Sequence, residues 1–259
     1  MDFKIHPFEQ TYRHFPLKRG VLLEGANGAW SEISPLPGRS IETLSMAIDQ
    51  LEAIQQGFAG PYLPSVAFGL YGLTAPYTAS VPCALFLAGP PDAVLKTAEE
   101  PHGCTHAKVK VGSWSLEEAI DVLRILTARF TVRIDFNLAW KQDAVHRLCA
   151  HLPLDKVEFL EDPGCPVHPF PVFSDAEGLS PTVWKPMVRG LPTKRAPLIL
   201  SSSFETSIGL HHIASLIQSH LIPLHALGIG TLHQERDVVQ NGAYLENGRI
   251  HFPKEMFSF

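Results

Sequence analysis

Charged residues are sparse in this 259-residue chain: they make up 18% of it, with 21 Lys and Arg against 26 Asp and Glu. The net charge of −5 leaves no basic field to hold nucleic acid or an anionic membrane. Cysteine is scarce too. Cys83, Cys104, Cys149 and Cys165 lie far apart with no C-x-x-C pair, and they read as free thiols in a reducing compartment. No apolar run approaches the roughly 18–20 residues of a membrane span. The opening Met1-Asp2-Phe3-Lys4 lacks the basic and apolar regions of a signal peptide. Repeats, heptads and low-complexity tracts are missing as well. Apolar residues are plentiful, at 45%, which is too many for a disordered chain. A soluble, cytosolic, globular protein is expected, long enough for one large domain or two modest ones.

The first 80 residues mix strands and helices. Val21 to Ile33 predicts a hairpin around Ala26-Asn27-Gly28, since Asn-Gly supplies the positive φ angles of a tight turn. Gly25 to Gly28 is therefore a turn and no phosphate loop. A helix capped by Ser40 is expected next, with Ile41, Leu44, Ala47, Ile48, Leu51 and Ile54 at 3–4 residue spacing, and another after Pro64-Ser65. From about Pro82 the rhythm changes to alternating strands and helices. Ala107–Val111 predicts a strand, Ser115 and Glu118 a capping box opening a helix through Ala128, and Val132–Phe136 the next strand. Lys141–Leu152 predicts a helix, Val157–Leu160 a strand, and Tyr244–Ile250 a final hairpin returning to the first domain. Alternating units of this kind mark an α/β chain, and a long series of them points to a barrel. The domains expected are an α+β cap (1–81, joined by 236–259) and a barrel (82–235).

The residues ending these strands carry chemistry. Lys108 and Lys110 flank Val109 and share a strand face, as do Arg133 and Asp135, with Asn137 just beyond. Glu161 closes the next strand in Glu161-Asp162-Pro163. Asp175 follows Val172-Phe173, Lys185 follows Val183-Trp184, and Ser201-Ser202-Ser203 follows Leu198-Ile199-Leu200. The C-terminal strand ends form the catalytic face of a barrel. Asp135, Glu161 and Asp175 there offer hard oxygen ligands suited to Mg²⁺. Two lysine stations beside them suit the movement of a proton next to a substrate carboxylate. One K-x-K or one Asp after an apolar run means little, since the first is usually a solvated edge and the second a helix cap. The whole ordered series is hard to obtain by chance.

That series resembles the enolase superfamily, in its muconate-lactonizing-type subgroup, and within it the o-succinylbenzoate synthase family of menaquinone biosynthesis. The stretches that carry the resemblance are Trp30–Gly38 (WSEISPLPG), Pro64–Gly69, Ala107–Gly112, Arg133–Trp140 (RIDFNLAW), Phe159–Pro163 and Ser201–Leu210 (SSSFETSIGL). The resemblance implies a capping domain over a modified, shortened (β/α) barrel, with Mg²⁺ (Mn²⁺ as a substitute) on Asp135, Glu161 and Asp175. It implies Lys110 as the base, Lys108 beside it, and Lys185 across the ring stabilising the anionic intermediate. The implied reaction is dehydration of 2-succinyl-6-hydroxy-2,4-cyclohexadiene-1-carboxylate, a small dicarboxylate, to 2-succinylbenzoate. The second carboxylate would meet the backbone N–H groups of Ser201, Ser202 and Ser203 ahead of a helix. Arg133 is equally an anion partner or a structural ion pair. The alternatives are a racemase, epimerase or cycloisomerase of the same subgroup, or a non-catalytic barrel homologue.

Spacing departs from a regular barrel. The stations are 27 and 26 residues apart from Lys108 to Asp135 to Glu161, then 14, 10 and 16 to Asp175, Lys185 and Ser201. A parallel crossover needs about a dozen residues or more, usually with a helix, so the last three cannot carry full helices. Eight prolines between 163 and 197 suit irregular cover of those strands, and a monomer is expected. The third ligand stands in Asp175-Ala176-Glu177, which leaves Glu177 as a substitute. His211-His212, His102 and His106 are expected to be surface or core residues.

Overall fold

The structure, a computed structural model, describes all residues except 13–14, 176–181, 193–197, 221–226, 232–236 and 258–259, and describes 12, 15–16 and 218–220 by backbone alone. Glu177 thus lies outside the described residues.

The chain opens with an antiparallel sheet of β1 (Phe3–Tyr12), β2 (Phe15–Gly25) and β3 (Trp30–Ile33), in that order. The β2–β3 turn lies where expected, with Gly28 at φ 77°, but Asn27 is not left-handed and instead its Oδ1 accepts from the Ala29 N–H at 3.0 Å. Helix α1 (Leu44–Gln55) starts later than expected. Its cap is Thr43, whose Oγ1 accepts from the Met46 N–H at 3.2 Å. Ser40 instead accepts from the Leu36 N–H at 2.9 Å and closes the preceding turn. Helix α2 (Pro64–Gly72) begins at a proline, whose missing N–H costs nothing there. Val21, Leu23 and Ile33 from the sheet bury against Ala47, Leu51, Val66 and Leu70 from these helices. The approach is close at Gly69, where a Cβ would lie 2.2 Å from Ile33 Cγ1.

After β4 (Ser80–Pro82), the α/β alternation unfolds as β5 (Leu85–Leu87), α3 (Pro91–Ala98), β6 (His106–Lys110), α4 (Leu116–Thr127), β7 (Thr131–Asp135), α5 (Gln142–Cys149) and β8 (Val157–Glu161). The Ser115–Glu118 capping box forms as predicted. There follow β9 (Val172–Phe173), β10 (Thr182–Trp184), the one-turn α6 (Pro186–Arg189), β11 (Leu198–Leu200), α7 (Ser207–His220), β12 (Tyr244–Glu246) and β13 (Arg249–His251). Strands β5 to β9 form one parallel sheet in sequence order, and β10 and β11 a second parallel pair. Parallel bridges join the two into a ring: Ser174 to Thr182 on one side, and Ser201 to Gly228 and Leu227 to Cys83 on the other. Eight parallel stations thus close a barrel, with Leu227-Gly228 as the eighth. The final hairpin pairs β13 with β4, as the chain's return to its N-terminal part requires.

The outward residues of β6, β7 and β8 (Val109, Ile134, Leu160) bury against α4 and α5. On the short side, α6 is the longest helix among the described residues between Glu161 and Ser201. Outward Leu198 and Leu200 are nonetheless buried. Their apolar cluster includes Leu22, Phe68 of α2, Met187 of α6, Leu210 and Ile213 of α7, and Phe252. Helices α2 and α7 from elsewhere in the chain supply much of this cover, and the proline-rich connection itself contributes Met187 of α6 and Leu191. The barrel interior holds a small apolar plug of Phe159, Val183 and Ile199, with Phe173 packed against it.

Candidate active site

The strand-end stations fall on one rim because parallel strands in register bring their C-terminal residues together. Lys110 pairs with Asp135, and Asp135 with Glu161, across β6, β7 and β8. Lys108 lies one inward position below and is 6% exposed, so its ammonium needs carboxylate partners. Its Nζ donates to Glu161 Oε1 at 2.7 Å, lies 2.6 Å from Oε2, and reaches Asp135 Oδ2 at 3.2 Å. Burial alone would lower its pKa, but Glu161 and Asp135 overcome that and hold it well above the ordinary lysine value. Lys108 is therefore a fixed cation.

Lys110 differs. It sits farther out, with Nζ 3.7 Å from Asp135 Oδ2 and a long 3.4 Å hydrogen bond to Asn137 Oδ1. Burial pushes its pKa down, Asp135 opposes this, and the cations Lys108 and Lys185 push it down further. Asn137 keeps this corner in order: its φ of 50° is left-handed, and its N–H donates to Asp135 Oδ1 at 3.1 Å. Lys185 follows β10, four stations from β6 on an eight-station ring, so the two lysines face each other across the barrel.

Asp135, Glu161 and Asp162 bring carboxylate oxygens within 4.8 Å of one another, all three residues being buried. The sequence reading passed over Asp162, although it stands in the Glu-Asp-Pro motif. Its φ of 49°, a left-handed conformation Asp tolerates better than most residues, turns it inward beside Glu161. Asp175 is placed next to this group but engaged elsewhere. Its Oδ2 accepts from Lys185 Nζ at 2.5 Å, Oδ1 is 3.8 Å from Arg39, and its N–H donates to Asp162 Oδ1 at 3.2 Å. Burial would raise its pKa, but Lys185 dominates and draws it down to about 2. Arg39, in the loop after Pro37-Gly38, is a further basic group that no local pattern pointed to.

Two expectations need revision. The guanidinium of Arg133 points away from the rim to Glu158, near the start of β8, with Nε–Oε2 at 2.6 Å and Nη2–Oε1 at 3.0 Å, and stacks 5.1 Å over the Phe159 ring. Of its two readings, the structural ion pair is the one its position supports. The N–H groups of Ser201, Ser202 and Ser203 already donate to Trp184 O, Gly228 O and Glu205 Oε2. They have nothing left for a ligand. The hydroxyls are engaged as well: Ser201 and Ser202 Oγ donate to Gly228 O at 3.1 and 3.3 Å, Ser202 Oγ also lies 3.1 Å from Thr231 Oγ1, and Ser203 Oγ donates to Glu205. His211 and His212 are buried core residues on α7, as expected.

The donor set fits a hard divalent cation. Lys108 offsets only part of the mutual repulsion of three buried carboxylates, and Glu161 Oε2 has no hydrogen-bond partner despite its nearness to Lys108.

A ring of eight parallel strands under an N-terminal α+β layer, with carboxylates and opposed lysines on its C-terminal rim, is the enolase-superfamily barrel architecture. Solved structures agree on the fold: an o-succinylbenzoate synthase from Thermosynechococcus elongatus BP-1, complexed with Mg in its active site, matches over 93% of this chain and 97% of that one, at TM-score 0.67 and 22% identity. A dipeptide epimerase from Methylococcus capsulatus, complexed with Mg, matches over 97% and 96%, at TM-score 0.72 and 20% identity. No protein-family model matches the chain. A curated o-succinylbenzoate synthase of Salmonella arizonae is 32% identical over 86% of this chain and 90% of its own length. The chain belongs to the o-succinylbenzoate synthase family of the enolase superfamily. That alignment runs over 291 positions although the chain has 259 residues, so the relative carries segments absent here, in keeping with the shortened barrel.

Proposed function

We propose that this protein is a Mg²⁺-dependent dehydratase that converts 2-succinyl-6-hydroxy-2,4-cyclohexadiene-1-carboxylate to 2-succinylbenzoate, the step of menaquinone biosynthesis named for its family. The single observation that carries this reading is the placing of Lys110 and Lys185 on opposite walls of a barrel whose rim between them is lined by buried carboxylates. Asp135 and Glu161 hold the cation. Two carboxylates compete for the third position: Asp162, gathered with them in the structure, and Asp175, which the family resemblance favours. When bound, Mg²⁺ supplies positive charge to the substrate's ring carboxylate and so acidifies the adjacent C–H.

Lys110, with its lowered pKa, takes the proton from the carbon bearing that carboxylate. The C–O bond to the neighbouring hydroxyl breaks, its electron pair staying on oxygen, a ring double bond forms from the C–H pair, and the Lys110 ammonium gives its proton to the departing oxygen so that water leaves. Because aromatisation drives this step, few groups beyond cation and base are needed. Lys108 stays protonated and disfavours a second charge on Lys110. Lys185 faces the ring from the far wall and balances negative charge that develops there. The succinyl tail, a second carboxylate, lies toward the Ser201–Ser203 station beside Lys185.

We further propose the division into a cap of residues 1–81 with 236–259 and a barrel of 82–235, working as a monomer in the cytoplasm. Burial of the outward Leu198 and Leu200 within the single chain supports the monomer. Among the described residues no helix is long and apolar enough to cross a membrane. The deciding assay mixes pure protein, Mg²⁺ and the cyclohexadiene carboxylate and follows the aromatic product. Turnover that persists in excess chelator, or no turnover with Mg²⁺, would refute the reading. Racemase or epimerase action on an acylated amino acid or a dipeptide is the competing outcome, since it uses the same lysines.

A further inference from the structure

Far from the rim carboxylates in sequence, three ionisable side chains are fully buried together: Lys18 of β2, Glu32 of β3 and Glu205, just before α7, each with 0% exposure. Lys18 Nζ donates to the carbonyl oxygens of Ser203 at 2.6 Å and Phe204 at 2.9 Å. Glu32 Oε2 accepts from the Thr206 N–H at 2.8 Å, Thr206 Oγ1 at 2.6 Å and the Gly209 N–H at 3.2 Å, while Ser34 Oγ donates to Oε1. Glu205 takes the N–H and hydroxyl of Ser203. The fit is tight, for a Cβ on Gly209 would lie 2.6 Å from Glu32 Oε2.

Two things follow from this geometry. The Glu32 carboxyl group occupies the N-terminal donors of α7, so those donors do not serve a substrate carboxylate. A buried polar cluster of this kind is also a poor source of stability, since apolar side chains of the same volume usually do as well or better, whereas its directed hydrogen bonds define one arrangement. What they define is the bend at Phe204, held in the left-handed region at φ 66°, which carries the chain from the serine run into α7. The run itself starts beside Lys185, with the Ser201 N–H on Trp184 O at 2.9 Å.

We propose that Lys18 and Glu32, reaching across from the N-terminal sheet, are positioning residues that set the Ser201–Ser203 run against the tail carboxylate of the substrate, for which the Ser202 hydroxyl exchanges its long 3.3 Å bond to Gly228 O. This rests on the dehydratase reading above. Neither residue touches the substrate; both act through the backbone of Ser203–Thr206.

The test is calorimetric titration of the Mg²⁺-loaded protein with 2-succinylbenzoate and with 2-butyrylbenzoate, in which a methyl group replaces the tail carboxylate. The wild-type chain should favour the succinyl compound by at least about tenfold, the scale of one hydrogen bond to a charged group. Lys18→Met and Glu32→Gln should bring that ratio below about threefold, with affinity for Mg²⁺ and for 2-butyrylbenzoate within about twofold of wild type. Thr206→Val removes a single donor from Glu32 and should lower the ratio part way; it keeps the question answerable if the other two variants fail to fold. A mere brace would lower the melting temperature and leave the ratio unchanged, and that result in any folded variant overturns the proposal. Failure of the wild-type chain to bind 2-succinylbenzoate overturns the functional reading and this one together.

Discussion

Lys110 and Lys185 are the side chains on which turnover should depend most. Lys110→Ala is expected to lower kcat by about 10²–10⁴-fold, the usual worth of a positioned acid–base group, with the fold intact because Lys110 stands at the rim. Lys185→Ala should cost a similar factor through lost charge balance, and also frees Asp175 from its 2.5 Å partner. Near-native rates in both variants would remove the mechanism. The third metal ligand is decided by a pair of substitutions read by Mg²⁺ titration. If Asp162→Asn weakens binding by tenfold or more and Asp175→Asn does not, the gathered carboxylates are the ligands; the reverse selects Asp175. Chelation should abolish activity in the wild-type chain, and Mg²⁺ or Mn²⁺ restore it. At this scale the sequence was informative about which residues end strands, since short apolar runs followed by Lys, Asp or Glu are visible in one dimension. It was silent on the partners of Asp175 and Arg133, because a side chain's direction depends on neighbours brought in from other strands.

At the scale of elements, α7 carries two buried imidazoles. The Thr78 N–H donates to His211 Nε2 at 3.0 Å, which places the proton on Nδ1, and Tyr77, His212, Phe252 and Phe257 surround the ring. Burial lowers the His211 pKa to about 4, below the unfolded value of about 6.5. The neutral ring therefore contributes stability that is present above pH 6.5 and is lost as pH falls through about 4, on the order of 3 kcal/mol in full. His212, also buried and lowered, acts in the same direction. The melting temperature should fall between pH 7.5 and pH 4.5, and His211→Gln, which keeps an acceptor for Thr78, should flatten that slope. An unchanged slope would show that His211 does not set it. Helices α1, α4 and α5 and the β2–β3 turn were legible from periodicity and capping chemistry. The start of α1 was not, since Ser40 and Thr43 are both competent caps and only the Leu36–Ser40 turn decides between them.

Across the whole molecule, the question raised by the short connections is how a barrel closes and keeps its strands covered without its outer helices. Closure runs through single bridges at Ser174, Ser201 and Leu227, and cover comes from α2, α6 and α7. A monomer is the expected outcome of solution light scattering; a stable dimer that buries Trp184 would assign part of the cover to a second subunit. The interior plug is small, so each member matters. Phe159→Ala should cost about 3–5 kcal/mol in urea unfolding, because it opens a cavity and removes the face on which Arg133 stacks. A loss under about 1 kcal/mol would mean that the plug collapses readily around the gap.

The sequence by itself determined the α/β alternation, the order of the strand-end chemistry, the family, and the shortage of chain between Glu161 and Ser201. These are properties of composition, period and spacing along one chain, and they need no knowledge of what lies opposite. Tertiary structure alone decided that Asp162 joins the carboxylates, that Arg133 turns to Glu158, and that the α7 donors are taken by Glu32. It also decided which helices cover β11. Each of these turns on groups far apart in sequence, 174 residues in the case of Thr206 and Glu32, and burial makes such charges choose a partner wherever the fold supplies one.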